Sequence, residues 1–199
     1  MPKSENVFTV AHRVSEQDRI NANRHRGGIL WFTGLSGAGK STLAIELEKA
    51  LFARRYQVYT LDGDNVRQGL NTDLGFSHAD RSENIRRIGE VAALFAEAGF
   101  VVVTAFISPY RADRERIRAR HPQYFNEIFI NAPLEVCERR DTKGLYRRAR
   151  AGQLKEFTGV SAPYEAPVTP ELEVRSGEKP VDACLAELLG FIERRFALE

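Results

Sequence analysis

Long apolar runs are missing from this chain. No stretch approaches the ~18 residues that a membrane span requires, and the opening MPKSENVFTV carries no apolar signal-peptide core. Cysteine is scarce: Cys137 and Cys184 are the only two, with neither a CxxC nor a metal-ligand spacing. A disulfide framework and a thiolate metal centre are therefore excluded, and both thiols are expected to be small buried hydrophobes in a reducing compartment. An excess of one charge is lacking as well. With 29 Lys and Arg against 27 Asp and Glu, the net charge is +2, too small to draw the chain to a nucleic acid or a membrane through bulk charge. Internal repeats and low-complexity tracts are absent. The expectation is a cytoplasmic protein with neither nucleic acid nor membrane as partner.

What is present suits one compact α/β domain. The 199 residues are 43% hydrophobic and 28% charged, enough for a continuous core. Residues 1–28 read as a polar N-terminal arm with one short helix, closing at Gly27-Gly28. From residue 29 to 199, short apolar runs alternate with helical patterns. ILWFTGL, VYTLD, FVVVTAFI, EIFINA and LEVRS read as strands. STLAIELEKALFARR has helical spacing in Leu43, Leu47, Leu51 and Phe52, and residues 79–98 carry an apolar face of Ile85, Ile88, Val91, Ala92 and Phe95. RADRERIRARH reads as a charged, exposed helix, PLEVCERR begins a helix at its proline, and VDACLAELLGFIERRF closes the chain. Residues 141–170 hold little apolar material and read as a loop with a helical piece. Strands alternating with helices imply a parallel sheet covered on both faces, with its active site beyond the carboxyl ends of the strands.

GLSGAGKS, residues 34–41, fits G-x-x-x-x-G-K-S between a strand and a helix. Such a P-loop turns backbone N–H groups from Gly34, Leu35, Ser36, Gly37, Ala38 and Gly39 toward phosphate oxygens, and the helix that follows adds its positive end at Ser41 and Thr42. Lys40 is expected to reach the terminal phosphates of ATP, and the Ser41 hydroxyl to ligate Mg²⁺. No NKxD sequence marks a GTPase, and FVVVTAFIS ends in serine rather than the aspartate of a motor or transporter ATPase. The acidic partner is sought instead in DGDNVR. Asp62 and Asp64 follow a strand on the cradle's edge, and alternate residues of an extended chain would face one site. One carboxylate would hold Mg²⁺, the other would accept a proton from an attacking hydroxyl, and Arg67 and the metal would relieve their repulsion. The two roles are exchangeable at this level. Phosphoryl transfer to an alcohol is the chemistry indicated.

LDGDNVRQGL, LGFSHADRSENIRRIGEVAALFAEAG, FISPYRADR, PLEVCERRDTKGLYRRARAGQLKEFTG and SAPYEAP together resemble the adenylylsulfate kinase family, in order from about residue 28 to about 175. The resemblance implies a P-loop, nucleoside-monophosphate-kinase-like three-layer fold and a homodimer. It implies ATP-dependent phosphorylation of the 3′-hydroxyl of adenosine 5′-phosphosulfate, in sulfate assimilation. An acceptor with an adenine ring and two anionic groups needs aromatic faces and guanidinium forks. By the resemblance Phe76, Arg81 and Asn84 contact the acceptor, with Arg67 and Arg81 as clamps for the phosphosulfate. Ile107, at a strand end, is open both to backbone contact with substrate and to a core role.

Residues 139–155, RRDTKGLYRRARAGQLK, concentrate basic side chains. Apart from Tyr146 they lack the interleaved aromatics of a nucleic-acid patch, and they are read as part of a mobile lid over about 141–162 that closes on phosphates and excludes water. The resemblance gives Arg140 to the ATP adenine, Lys143 to phosphate, and Lys155 and Phe157 to the acceptor. It also gives Ser108 as a phosphoserine intermediate, which would make the chain a phosphoprotein. A serine nucleophile needs a neighbouring base, and FISPYR supplies none. Direct transfer with Asp64 as base, and Ser108 hydrogen-bonding substrate or metal-bound water, is the competing reading.

Overall fold

A computed structural model describes Phe8 and residues 10–198; the remaining residues of the N-terminal arm and of MPKSENVFTV lie outside the described residues. Five strands form one parallel sheet: β1 (Gly28–Thr33), β2 (Val58–Asp62), β3 (Val101–Ala105), β4 (Phe125–Ile130) and β5 (Leu172–Val174), in the order β2-β3-β1-β4-β5. The expected parallel α/β sheet is present, with all five strands where their apolar runs fall.

β1 lies at the centre because it is buried along its whole length, GILWFT. Its side chains alternate between two cores. Leu30 and Phe32 join one face with Leu43, Leu47 and Leu51 of α2 (Lys40–Ala53) and Leu188 and Ile192 of α8 (Val181–Phe196). Ile29 and Trp31 join the other with Ile85, Ile88 and Ala92 of α4 (His78–Glu97) and Ile117 of α5 (Arg111–Arg120). This period-two division of one strand is what makes the three-layer sandwich. α4 and α5 approach closely at Gly89, where a Cβ would lie 2.3 Å from Ile117 Cδ1.

Two helix readings need correction. Phe52 is 73% exposed, on the outer side of α2 rather than on its apolar stripe. α5 is not an exposed helix either, since Asp113, Arg114 and Ile117 are buried. Arg114 is tolerated there because its guanidinium pairs with Glu127, itself buried on β4.

In the arm, α1 (Glu16–Asn23) starts with a capping box between Ser15 and Asp18. Ile20 buries against the body, and Asn23 donates to the Gly99 carbonyl at 3.2 Å. His25 is buried on Tyr56, accepting from the Gln57 N–H at 2.9 Å. Among the described residues no helix is long and apolar enough to cross a membrane. The remaining elements are α3 (Gly63–Val66), α6 (Leu134–Arg140) and α7 (Leu145–Arg150), the last being the helical piece expected within 141–170.

Candidate active site

A cleft of about 1120 Å³ opens beyond the carboxyl ends of the strands, at the point where β1 is flanked by β3 on one side and β4 on the other. That is the switch point where open α/β sheets bind ligands. One wall is residues 34–42. Gly37 (φ 77°) permits its turn, and a Cβ there would meet the Cys137 carbonyl oxygen at 2.9 Å. The loop is held through its carbonyls. Those of Gly34 and Leu35 accept from Lys40 Nζ at 2.9 and 2.8 Å. Ser36 accepts from the Tyr146 hydroxyl at 2.9 Å, Gly37 from Arg140 at 3.2 Å and Ala38 from the Ser176 hydroxyl at 2.7 Å. With five successive carbonyls engaged, the loop N–H groups other than that of Ala38, which donates to the Leu35 carbonyl at 3.2 Å, are left for an anion in the cleft. Burial, the largest influence on Lys40, brings its ammonium down to about 8, against the opposing pull of Cys137 and Asp62.

At the rim, the Ser41 hydroxyl donates to Asp62 Oδ2 at 2.7 Å. Asp62 ends β2 and caps α3 by accepting from the Asp64 N–H at 3.0 Å. Asp64 therefore sits in a helical turn, not in extended chain, and strand alternation is not what brings the two carboxylates together. Both still line the cleft. The relief of their charge also differs from expectation: Asp64 is paired with Lys143, whereas Arg67 donates to the Leu74 and Gly75 carbonyls at 3.0 and 3.1 Å. The Asp64 hydrogen bond is also the largest influence raising the Lys143 ammonium. Among the described residues no three His, Cys, Asp or Glu side chains cluster as a metal site. One hydroxyl and one carboxylate, all oxygen, fit Mg²⁺, a hard cation that keeps most of its shell as water and phosphate.

The opposite wall is built from side chains. Ser77 caps α4, which leaves Phe76 projecting from the preceding loop, 63% exposed, so core packing is not its role. Arg67 lies 4.4 Å and Arg81 5.7 Å from the Phe76 ring centroid. Burial first, and then the charge of Arg81, lowers the Arg67 guanidinium. Two cations converging on one exposed ring make a receptor for an anionic, planar ligand. Asn84 is buried below, accepting from Asn71 Nδ2 at 3.0 Å.

The basic segment spans the two walls. α7 is anchored by buried Tyr146, against which Phe157 packs edge-on at 5.1 Å. Arg81 donates to the Glu156 carbonyl at 2.9 Å, and Lys155, Phe157 and Lys143 line the cleft. Arg140 is at the base of the cradle, its other arm donating to the Ser176 carbonyl at 2.7 Å. Ile107 and Ser108 form the floor. Ser108 is buried with φ 40°, and its hydroxyl accepts from Trp31 Nε1 at 3.2 Å, with no carboxylate or imidazole among the described residues bonded to it. Sequence reasoning missed Tyr146 as a cradle support, Ser176 altogether and the Arg114 fork. Only a buried hydroxyl or guanidinium in an otherwise polar stretch would have betrayed them.

A profile described as adenylylsulphate kinase matches residues 26–175. An adenylyl-sulfate kinase of Acaryochloris marina is 54% identical over 97% of this chain and 95% of its own length. Another, from Lactiplantibacillus plantarum, is 52% identical over 96% and 93%. The Mycobacterium tuberculosis APS kinase, solved in complex with AMPPNP and APS, superposes with a TM-score of 0.80 at 45% identity, over 84% of this chain and 98% of that one. The chain belongs to the adenylylsulfate kinase family.

Proposed function

We infer that this member of the adenylylsulfate kinase family transfers the γ-phosphoryl group of ATP to the 3′-hydroxyl of adenosine 5′-phosphosulfate, giving 3′-phosphoadenosine 5′-phosphosulfate and ADP. One observation carries this reading. A single cleft has a backbone phosphate cradle on one wall and an exposed aromatic ring beside two guanidinium groups on the other, with Asp62 and Asp64 at the rim. A phosphate-rich donor and an anionic nucleoside acceptor would thus meet end to end.

The cradle N–H groups and Lys40 hold the β- and γ-phosphates and stabilise charge on the transferring group. Phe76 stacks on the acceptor adenine, while Arg67 and Arg81 hold its phosphosulfate. Asp64 accepts the 3′-hydroxyl proton as that oxygen bonds to the γ-phosphorus and the bond to the β–γ bridging oxygen breaks. Lys143, which pairs with Asp64 across the cleft, is drawn to phosphate when donor binds and leaves the carboxylate free to act. Ser41 and Asp62 would hold Mg²⁺, which supplies neutralisation of phosphate charge. Residues 141–162 close as a lid, excluding water that would otherwise hydrolyse ATP. Arg140 serves the donor end, and Lys155 and Phe157 the acceptor end. Ser108 acts as a hydrogen-bonding floor residue: it is buried, it is engaged by Trp31, and it lacks a bonded base. A homodimer is the assembly expected of the family, measurable as twice the 22.5 kDa chain mass in solution.

Incubation with Mg-ATP and adenosine 5′-phosphosulfate, following ADP and 3′-phosphoadenosine 5′-phosphosulfate together, is the test. Equal amounts of both products are expected, with Asp64→Asn about 10²–10⁴-fold slower and Ser108→Ala still active. ADP without the sulfated product would overturn the acceptor assignment. A dead Ser108→Ala protein that still binds both substrates would overturn direct transfer.

A further inference from the structure

SAPYEAP and the buried part of α5 have no place in the chemistry above, yet they meet directly beneath it. Arg114, 1% exposed, spreads its fork over three partners. Nε donates to Glu127, Nη1 to the Ser108 carbonyl at 2.7 Å and Nη2 to the Glu165 carbonyl at 2.7 Å. Alongside, the Thr33 hydroxyl donates to the Ile107 carbonyl at 2.7 Å and lies 3.0 Å from the Tyr164 hydroxyl. Thr33 has one proton and gives it to Ile107, so Tyr164 is the donor to Thr33. The Glu165 N–H donates to the Pro109 carbonyl at 2.9 Å, and the Arg111 N–H donates back to the Glu165 carboxylate at 2.8 Å. Residues 164–165 are thus a strap across the loop that follows β3.

Everything in this network pulls on one dipeptide. Both carbonyls of Ile107–Ser108 and the Ser108 hydroxyl are held from the interior, and Ser108 is kept at φ 40°, a conformation that a serine adopts only when its surroundings impose it. The N–H groups of Ile107 and Ser108 find no acceptor among the described residues, although both residues line the cleft. We propose that Arg114, with the Tyr164–Glu165 strap, is a positioning device for the acceptor. It fixes the Ile107–Ser108 turn so that its free N–H groups and its surface meet the acceptor nucleotide and not the donor. The inference rests on the acceptor reading given above and extends it to residues that touch no substrate.

Steady-state kinetics of Arg114→Lys and Tyr164→Phe against each substrate in turn test it, beside wild type. Lysine keeps the charge next to Glu127 but cannot span all three partners. Each variant is expected to raise KM for adenosine 5′-phosphosulfate by about tenfold, the scale of one lost charge-assisted or buried hydrogen bond, and to leave KM for ATP within about twofold. The chain's sole tryptophan, Trp31, bonds Ser108 and supplies an independent signal. Its emission should shift when adenosine 5′-phosphosulfate is added to wild type with ADP present, and shift less in Tyr164→Phe. A network that merely stabilises the fold would lower Tm and active fraction without separating the two KM values; that result, or equal rises in both, overturns the proposal. Should Arg114→Lys fail to fold, the volume-conserving Tyr164→Phe decides by the same criterion. Wild type inactive toward this acceptor would instead refute the function proposed above, and this inference with it.

Discussion

On the function proposed above, the two walls of the cleft solve the same problem, holding an anion, by opposite means. The donor wall is nine consecutive residues, 34–42, and most of what it offers is backbone. Its shape is kept by Tyr146, Arg140 and Ser176, which reach in from later in the chain and bond its carbonyls. The acceptor wall offers side chains, exposed Phe76 with half-buried Arg67 and Arg81, set out over residues 67–81. Backbone donors recognise any phosphate chain, whereas an aromatic face beside two guanidinium forks selects a shape. The general half is therefore built from backbone and the specific half from side chains.

Substitutions that strike one wall and spare the other sharpen this division. The largest effect is expected at Lys40→Ala, where kcat should fall by about 10³-fold, as for removal of a buried donor to the transferring group; acceptor affinity measured by Trp31 emission should hold. Arg81→Ala comes next. It removes a charged contact on the acceptor and the tie to the Glu156 carbonyl, so KM for adenosine 5′-phosphosulfate should rise by about 10–100-fold, with KM for ATP unchanged. An equal loss for both substrates would break the comparison. Tyr146→Phe removes one carbonyl anchor of the cradle. About 1 kcal/mol is expected, read as a several-fold rise in KM for ATP alone. Phe52→Ser, on the outer side of α2, should change neither KM and shift stability by less than about 0.5 kcal/mol in thermal unfolding.

The donor wall was legible in the sequence because its function is local: GLSGAGKS needs only the strand before it and the helix after it. The five strands were legible for the same reason, each being a short apolar run. Strand order was not, since nothing local in VYTLD says that it lies outside FVVVTAFI. The acceptor residues were reached through family resemblance, because Phe76 reads as well for a core as for a stacking platform until its exposure is known. α5 shows most plainly where pattern reading ends. RADRERIRARH carries so many charges that burial is invisible in it, and only the presence of Glu127 on a strand across the interface explains how Arg114 is accommodated. Asp64 gives the opposite lesson. The expectation that it faces the cleft held, but a helical turn capped by Asp62, not strand alternation, puts it there.

The central place of β1 has a consequence for how the molecule comes into being. Of the described strands β1 is made first, yet its neighbours on either side are β3 and β4, so Ile29 must wait for Val102 and for Phe125 before it is paired. The carbonyl anchors of the phosphate cradle come later still, from Arg140, Tyr146 and Ser176. During synthesis the motif that defines nucleotide binding is thus exposed well before the anchors that complete it are made. Contacts so distant in sequence make folding slow, since long loops must close before any pairing rewards them. A nascent chain would carry GLSGAGKS for much of its synthesis without being able to grip a nucleotide, and ATP should act on the last stages of folding rather than the first.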